Sequence, residues 1–341
     1  MVKLADLENR KLKNISSRYL KLVIYGIKDI LRNPSNLGKN KVQLVNDYIN
    51  TNETCNRFKH QSRVGENLPE TENNENILLR VSIANKQDPV TNAKIEFHNL
   101  LIEENFSESS GFEGIKILKF HNCFFKGSFE IRRTNLEHLE FKYCNFEEDF
   151  ILSDINKMKN LDISDCVFHK FKVFRPGEQM ETVIQNSEFK EGLFEDFPQE
   201  QRQRGTPPKR RSQKINLRGR LQSSHLVFRN LFLEELNIYE FSNQSDLTFE
   251  SIYFEADKAV VEIKNSNLGN CHFINLDFNK LSKLEITGTN VSDILCSAVQ
   301  WKYDIESGND RLKRDVHRQL KYAMEKQGDR VEALKFQAKE L

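Results

Sequence analysis

Cys123, Cys144 and Cys166 recur at steps of 21 and 22 residues, with His121 and His169 close to them in sequence. Thiolates and imidazoles are the preferred ligands of zinc, so metal chemistry is the first reading of this column. Zinc sites, however, take close-paired ligands, and none of the 6 Cys forms a CxxC pair. A Cys at one fixed position of successive repeats instead fills an interior slot as a small hydrophobe. No metal and no cofactor is assigned. Cys271 and His272 have the residue types of a thiol nucleophile and its base. Neighbours along a strand point to opposite faces, so these two cannot form the dyad with each other.

Carboxylates offer a second chemistry. Asp162 and Asp165 sit on the repeat that carries Cys166, and Glu140 lies one repeat earlier. A pair of carboxyl groups about 5 to 9 Å apart performs glycosidic chemistry, which would make the chain a polysaccharide-active β-helix enzyme. Such enzymes are typically exported, and the N-terminus lacks the long apolar run of a signal peptide. Charged residues at outward strand positions ordinarily form a solvated face. No Walker A, GxGxxG, HExxH or GxSxG pattern occurs. The expectation is therefore a protein that is not an enzyme, with no catalytic residue assigned.

A third candidate is basic. Lys209, Arg210 and Arg211 follow Pro207 and Pro208 within a polar insertion, which reads as an exposed loop able to contact a partner or phosphates. A nucleic-acid-binding protein using this loop is the alternative reading. No aromatic residues interleave the basic ones, and the formal net charge of the 341 residues is only +1, so nucleic acid is a poor match for the chain as a whole.

The elements that must position these residues are visible as a repeat. The segments beginning at Ile117, His138 and Asn160 share Leu-x-apolar-x-x-Cys-x-Phe, with Leu118, Leu139 and Leu161 aligned, then Phe120, Phe141 and Ile163, then Phe125, Phe146 and Phe168. A second register follows at Phe129-x-Ile131, Phe150-x-Leu152 and Phe171-x-Val173. Period-two alternation in both places predicts short strands with one face inward. Later turns are marked by Leu236-x-Ile238, Val261-x-Ile263 and Leu284-x-Ile286. There Ser266 and Thr289 stand near the small position that Cys held earlier, in residue types that suit tight corners. One turn cannot bury its own apolar side, but stacked turns can, in columns of like residues. The 25 Phe against 8 Tyr and 1 Trp fit such a dry interior. A leucine-rich repeat also fits Leu136-x-x-Leu139-x-Phe141, but its second segment is usually helical, and the paired apolar residues here favour a β-helix.

The Asn/Asp-Cys-x-Phe turns resemble those of bacterial pentapeptide-repeat-like proteins, which implies a right-handed parallel β-helix. The stretch from Arg318 to Glu340 is similar to a helical segment that follows such repeats, in some proteins before transmembrane helices and a channel-like portion. The expected fold is mainly β: a right-handed parallel β-helix, a solenoid of about 21–25 residues per turn, with an N-terminal helical region and a C-terminal helical hairpin cap. Residues 1–50 form the helical region, 51–76 a polar linker, 77–298 the solenoid with the basic loop at 199–214, and 299–341 the hairpin.

At the N-terminus, Ile15, Tyr19, Leu22, Ile27 and Ile30 continue a helical stripe that Asn33 and Pro34 stop. At the other end Leu312, Val316, Leu320 and Met324 form one stripe, Gly328 breaks it, and Val331, Leu334 and Ala338 resume on a second helix. The mixed charge of this hairpin argues against DNA reading. Its candidate interface residues are Arg318, Lys321, Arg330 and Phe336. The expected function is a non-enzymatic scaffold or sensor module whose partner is another protein, membrane-associated if the resemblance holds, or a second copy of the chain. No small-molecule substrate is evident. The Cys usage and the lack of a leader predict a cytoplasmic setting, peripheral to a membrane where the partner is membrane-associated.

Overall fold

A computed structural model describes residues 12–32, 41–51, 60–64, 79–83, 93–109, 112, 114–196 and 212–340. Among them the chain is a mainly β parallel solenoid of about 9 turns, with an N-terminal helix and a C-terminal helical pair. It divides into two compact units, Met1–His169 and Lys170–Leu341.

In the first unit the inner strands lie in register. Ile115–His121 pairs in parallel with His138–Lys142, which pairs in parallel with Asn160–Ser164. The second register of each repeat is also strand, at Phe129–Arg132 and Asn145–Ser153, which overturns the leucine-rich-repeat alternative. Alternation drives one face inward: Leu139 and Phe141 are fully buried while His138, Glu140 and Lys142 face outward. The aligned Phe residues become three stacks of rings. Phe97, Phe120 and Phe141 stack at 5.3 Å steps. Phe106, Phe129 and Phe150 stack at 5.1 and 5.4 Å, and Phe125, Phe146 and Phe168 at 4.5 and 4.6 Å. Ring edges of one stack meet ring faces of the next, as between Phe120 and Phe125. Burial of each Phe contributes roughly 1.5–3 kcal/mol, and each ring pair roughly 0.5–1.5 kcal/mol more.

One type of corner recurs. Asn122, Tyr143, Asp165, Asn186, Asn265 and Gly288 all have positive φ, and each is followed by Cys, Ser or Thr. That next side chain reaches back to the carbonyl two residues earlier: Cys144 Sγ to Lys142 O at 3.4 Å, Ser187 Oγ to Gln185 O at 2.8 Å, Ser266 Oγ to Lys264 O at 2.7 Å, Thr289 Oγ1 to Thr287 O at 3.1 Å. Asn and Asp tolerate the left-handed region, Tyr143 adopts it at φ +56 without that advantage, and at Gly288 an added Cβ would lie 2.7 Å from Asn265 Oδ1.

Two features at the start of the chain differ from expectation. The helix α1 spans Ser17–Arg32, and Lys13–Ile15 before it is a strand paired in parallel with Leu100–Ile102. An open strand edge supplies backbone partners that a helix start cannot. The buried face of α1 is Leu20, Val23, Ile24 and Ile27, whereas Leu22 is exposed. A second helix, α2, spans Lys41–Thr51. The polar stretch expected as a linker carries a strand, His60–Val64, paired in parallel with Leu79–Ile83, because backbone pairing does not depend on apolar side chains. Leu79–Ile83 in turn runs antiparallel to Ala93–His98, so the parallel stack begins at the latter.

In the second unit Val260–Lys264 and Lys283–Thr287 continue the parallel pattern, and Phe228, Phe249 and Phe273 form another stack at 5.2 and 5.7 Å. Helices α3 (Asp310–Lys326) and α4 (Arg330–Glu340) are joined through Gly328, whose φ is +81. Asn309 caps α3 and Asp329 Oδ1 accepts from Glu332 N at the start of α4. Val316, Leu320 and Met324 are buried as the stripe predicts. The last turn leaves open backbone groups, and two Gln side chains on α3's side of the hairpin meet them. Gln319 Oε1 accepts from Val291 N at 2.8 Å, and Gln327 Oε1 accepts from Cys296 N at 2.7 Å while its Nε2 donates to Ile294 O. Amides that would otherwise template another chain are thereby satisfied.

Candidate functional site

In the first unit, the outward face of the sheet formed by Ala93–His98, Ile115–His121, His138–Lys142 and Asn160–Ser164 carries a group of titratable side chains. Strand register places Glu96, Lys119, Glu140 and Asp162 in one column. His98, His121 and Lys142 form the column beside it, and His138 stands on the other side. Each is there because it alternates with a buried Leu, Ile or Phe on its own strand.

Glu140 is the centre of the group. Its Oε1 lies 2.8 Å from His121 Nε2, and its Oε2 is ion-paired with Lys119 Nζ. His138 Nε2 lies 3.0 Å from Asp162 Oδ2 and 3.5 Å from Glu140 Oε2. That nitrogen is shielded from solvent and faces both carboxylates. Burial alone would raise the Glu140 pKa, but bonds from His121, His138 and Lys119 outweigh it and hold the carboxyl far below its ordinary range. Burial would lower the His138 pKa, but Asp162 and Glu140 outweigh it and the net shift is upward. One donor atom from each of His138, Glu140 and Asp162 falls within 4.8 Å of the others.

Glu140 and Asp162, two of the three carboxylates singled out in the sequence, are thus brought together. Asp165 is not, because it occupies a left-handed corner. A glycosidic general acid needs a raised pKa, and the environment of Glu140 acts in the opposite direction. His138, which sequence reasoning passed over, is the residue that links the two carboxylates. Its signal lies only in aligning His138-Leu-Glu over Asn160-Leu-Asp, because the contact spans two strands.

The other candidates resolve differently. Cys123, Cys144 and Cys166 are at most 2% exposed, and their sulfurs face backbone carbonyls, Cys144 Sγ reaching Phe120 O at 3.2 Å. Burial pushes the Cys123 and Cys166 thiols up, so they remain protonated donors. His121 turns away from this column toward Glu140. Cys271 is buried and His272 points to the other face. Lys209, Arg210 and Arg211 lie outside the described residues. In the hairpin, Arg318 is tied to Glu340 at 2.8 Å and to Asp315 at 3.3 Å, Lys321 lies 4.0 Å from Glu325, and Arg330 is exposed at the start of α4. Phe336 is fully buried against Trp301, Tyr303 and His317. It therefore joins the hairpin to the last turn and is unavailable to a partner, a correction to its expected place on an interface. The side chains the hairpin does present are Val331 and Leu334, each 65% exposed, and Tyr322 at 54%.

These features define a parallel β-solenoid repeat protein with a helical terminal pair. No protein-family model matches the chain, and comparison with curated proteins and with solved structures finds no match. Among the described residues, no helix is long and apolar enough to cross a membrane.

Proposed function

We propose that this chain is a non-enzymatic interaction module, a loose relative of the pentapeptide-repeat β-helix proteins, that binds another protein through its C-terminal helix. One observation carries the reading. Val331, Leu334 and Ala338 recur at i, i+3 and i+7 on α4, and all three face solvent. A helix whose opposite face already anchors the hairpin through Ala333 and Phe336 gains nothing in its own fold from a second apolar row. Such a row suits the groove of a partner, in the helix-in-groove mode. The similarity of the Arg318–Glu340 stretch to segments preceding channel-like portions makes a membrane-associated protein, met from the cytoplasmic side, the first class of partner to test. The solenoid supplies the rigid body on which that helix is displayed. The carboxylate pair gives a glycoside-cleaving reading little support, since Glu140 is held ionised.

The test is quantitative affinity purification from the cells that naturally make the protein, comparing the wild-type chain with a Val331→Lys, Leu334→Lys double variant. The expected result is one stoichiometric protein retained by the wild type and lost from the variant, with unchanged far-UV circular dichroism. Equal retention by both removes α4 as the contact. Polysaccharide cleavage by the purified protein, with no stoichiometric partner, overturns the reading.

A further inference from the structure

We propose that His138, Glu140 and Asp162 form a mononuclear site for a divalent transition-metal ion with the size and ligand preferences of zinc.

The first argument is geometric. Ligand atoms about 2.0–2.2 Å from a zinc ion lie roughly 3.0–3.5 Å from one another in tetrahedral or octahedral arrangements. His138 Nε2 stands 3.0 Å from Asp162 Oδ2 and 3.5 Å from Glu140 Oε2, two edges of the length such a polyhedron requires, and one donor atom from each of the three residues lies within 4.8 Å of the others. His138 Nε2 is shielded from solvent and faces both carboxylate oxygens, and in the neutral tautomer protonated at Nδ1 it offers a lone pair to a cation.

The second argument is pre-organisation. His138 and Glu140 share one strand, and Asp162 is the register partner of Glu140 on the next, so backbone pairing fixes all three Cα positions. Outside the three donors, His121 Nε2 holds the other oxygen of Glu140 at 2.8 Å, the kind of second contact that orients a ligating carboxylate. One imidazole and two carboxylates form a nitrogen–oxygen set that suits zinc, cobalt(II), manganese(II) or iron(II) and disfavours copper(I). Three protein donors on an outward face leave the remaining positions to water.

Lys119 is the competitor. Its ammonium is ion-paired with Glu140 Oε2, so an ion using that oxygen displaces a flexible side chain and replaces one positive charge with two. Lys119 therefore sets the affinity without being a ligand. Removing that ammonium should therefore strengthen binding, while the single substitutions at the three donors distinguish a defined site from a nonspecific acidic patch.

Cobalt(II) titration of the full chain, followed by visible absorption and by calorimetry, tests the site. One cobalt(II) per chain, displaced by zinc(II), is expected. His138→Ala, Glu140→Gln and Asp162→Asn should each weaken binding at least about tenfold. Lys119→Met should tighten it, and His225→Ala, an exposed histidine of the other unit, should leave it unchanged. The Gln and Asn variants keep side-chain shape, so they report on ligation even if His138→Ala unfolds. Absence of 1:1 binding, or binding that survives all three ligand substitutions, overturns the proposal, as does a Lys119→Met variant that binds more weakly than wild type.

Discussion

At the corners where a Cys, Ser or Thr follows a left-handed residue, its side chain meets the carbonyl two residues earlier. Ser266 shows the accounting most fully. Its Oγ lies 2.7 Å from Lys264 O and 3.3 Å from Ile238 O, and it accepts from Phe241 N at 3.1 Å. A buried backbone group left without a partner costs about 1–3 kcal/mol. Ser266→Ala should therefore lower the unfolding free energy by about that amount in urea denaturation, while Ser266→Cys, which keeps a weak donor in the slot, should cost less than half as much. Equal losses for Ala and Cys would mean that the slot selects for size alone. The recurrence of small residues here was readable in Cys123, Cys144, Cys166, Ser266 and Thr289, because one slot per turn leaves a period in the sequence. What the period did not disclose is that the thiols act as donors as well as fillers, since a carbonyl acceptor leaves no mark in residue type.

Between strands, the relevant unit is the cross-strand ladder. Glu262 and Glu285 are register partners, a like-charge pairing that would destabilise the sheet by itself. Lys283 bridges them at 2.7 Å to each, and Lys264 at 3.0 and 2.9 Å, while Tyr239 donates its hydroxyl to Glu262. Burial would raise the Glu262 pKa, but Lys283, Tyr239 and Lys264 outweigh it and bring it down to about 2 from an ordinary 4.5. Because the folded value is depressed, the stabilisation is complete above pH 4.5 and is lost as pH falls from there toward 2. Glu262→Gln should cost about 1 kcal/mol at neutral pH. Its melting temperature should converge on that of the wild type as the pH is lowered through this window. Parallel melting curves down to the acid limit would show that the ladder contributes nothing specific. Ladders also explain why His138 escaped notice. Its partner Asp162 lies on the following turn, and only the fixed register between His138–Lys142 and Asn160–Ser164 makes them neighbours. By contrast Val331, Leu334 and Ala338 were readable as a helical stripe, but periodicity cannot say which of two apolar faces the hairpin buries. Ala333 and Phe336 took that role because Phe336 fills the space beside Trp301.

Across the whole chain, a solenoid distributes stability by nearest neighbours, since each turn packs chiefly on the turns before and after it. In the first unit Phe146 stacks on Phe125 and Phe168 and meets Phe129, Phe141 and Phe150 edge-on. Truncating it opens a cavity that the rigid neighbouring strands cannot close, at a cost of about 3–5 kcal/mol. In a molecule stabilised turn by turn, that loss should stay local. Hydrogen exchange followed by mass spectrometry on Phe146→Ala should show amides of Ile115–His121, His138–Lys142 and Asn145–Ser153 exchanging faster. Amides of α3 and α4, held by Phe336, Leu320 and the two Gln caps, should keep their wild-type protection. A uniform rise in exchange along both units would instead indicate one cooperative transition, in which the stacks act as a single core. The local outcome matters for the functional readings as well. It would mean that the ligand cluster on the first unit and the apolar row on α4 can each be altered without unfolding the other, so the variants that test them report separately.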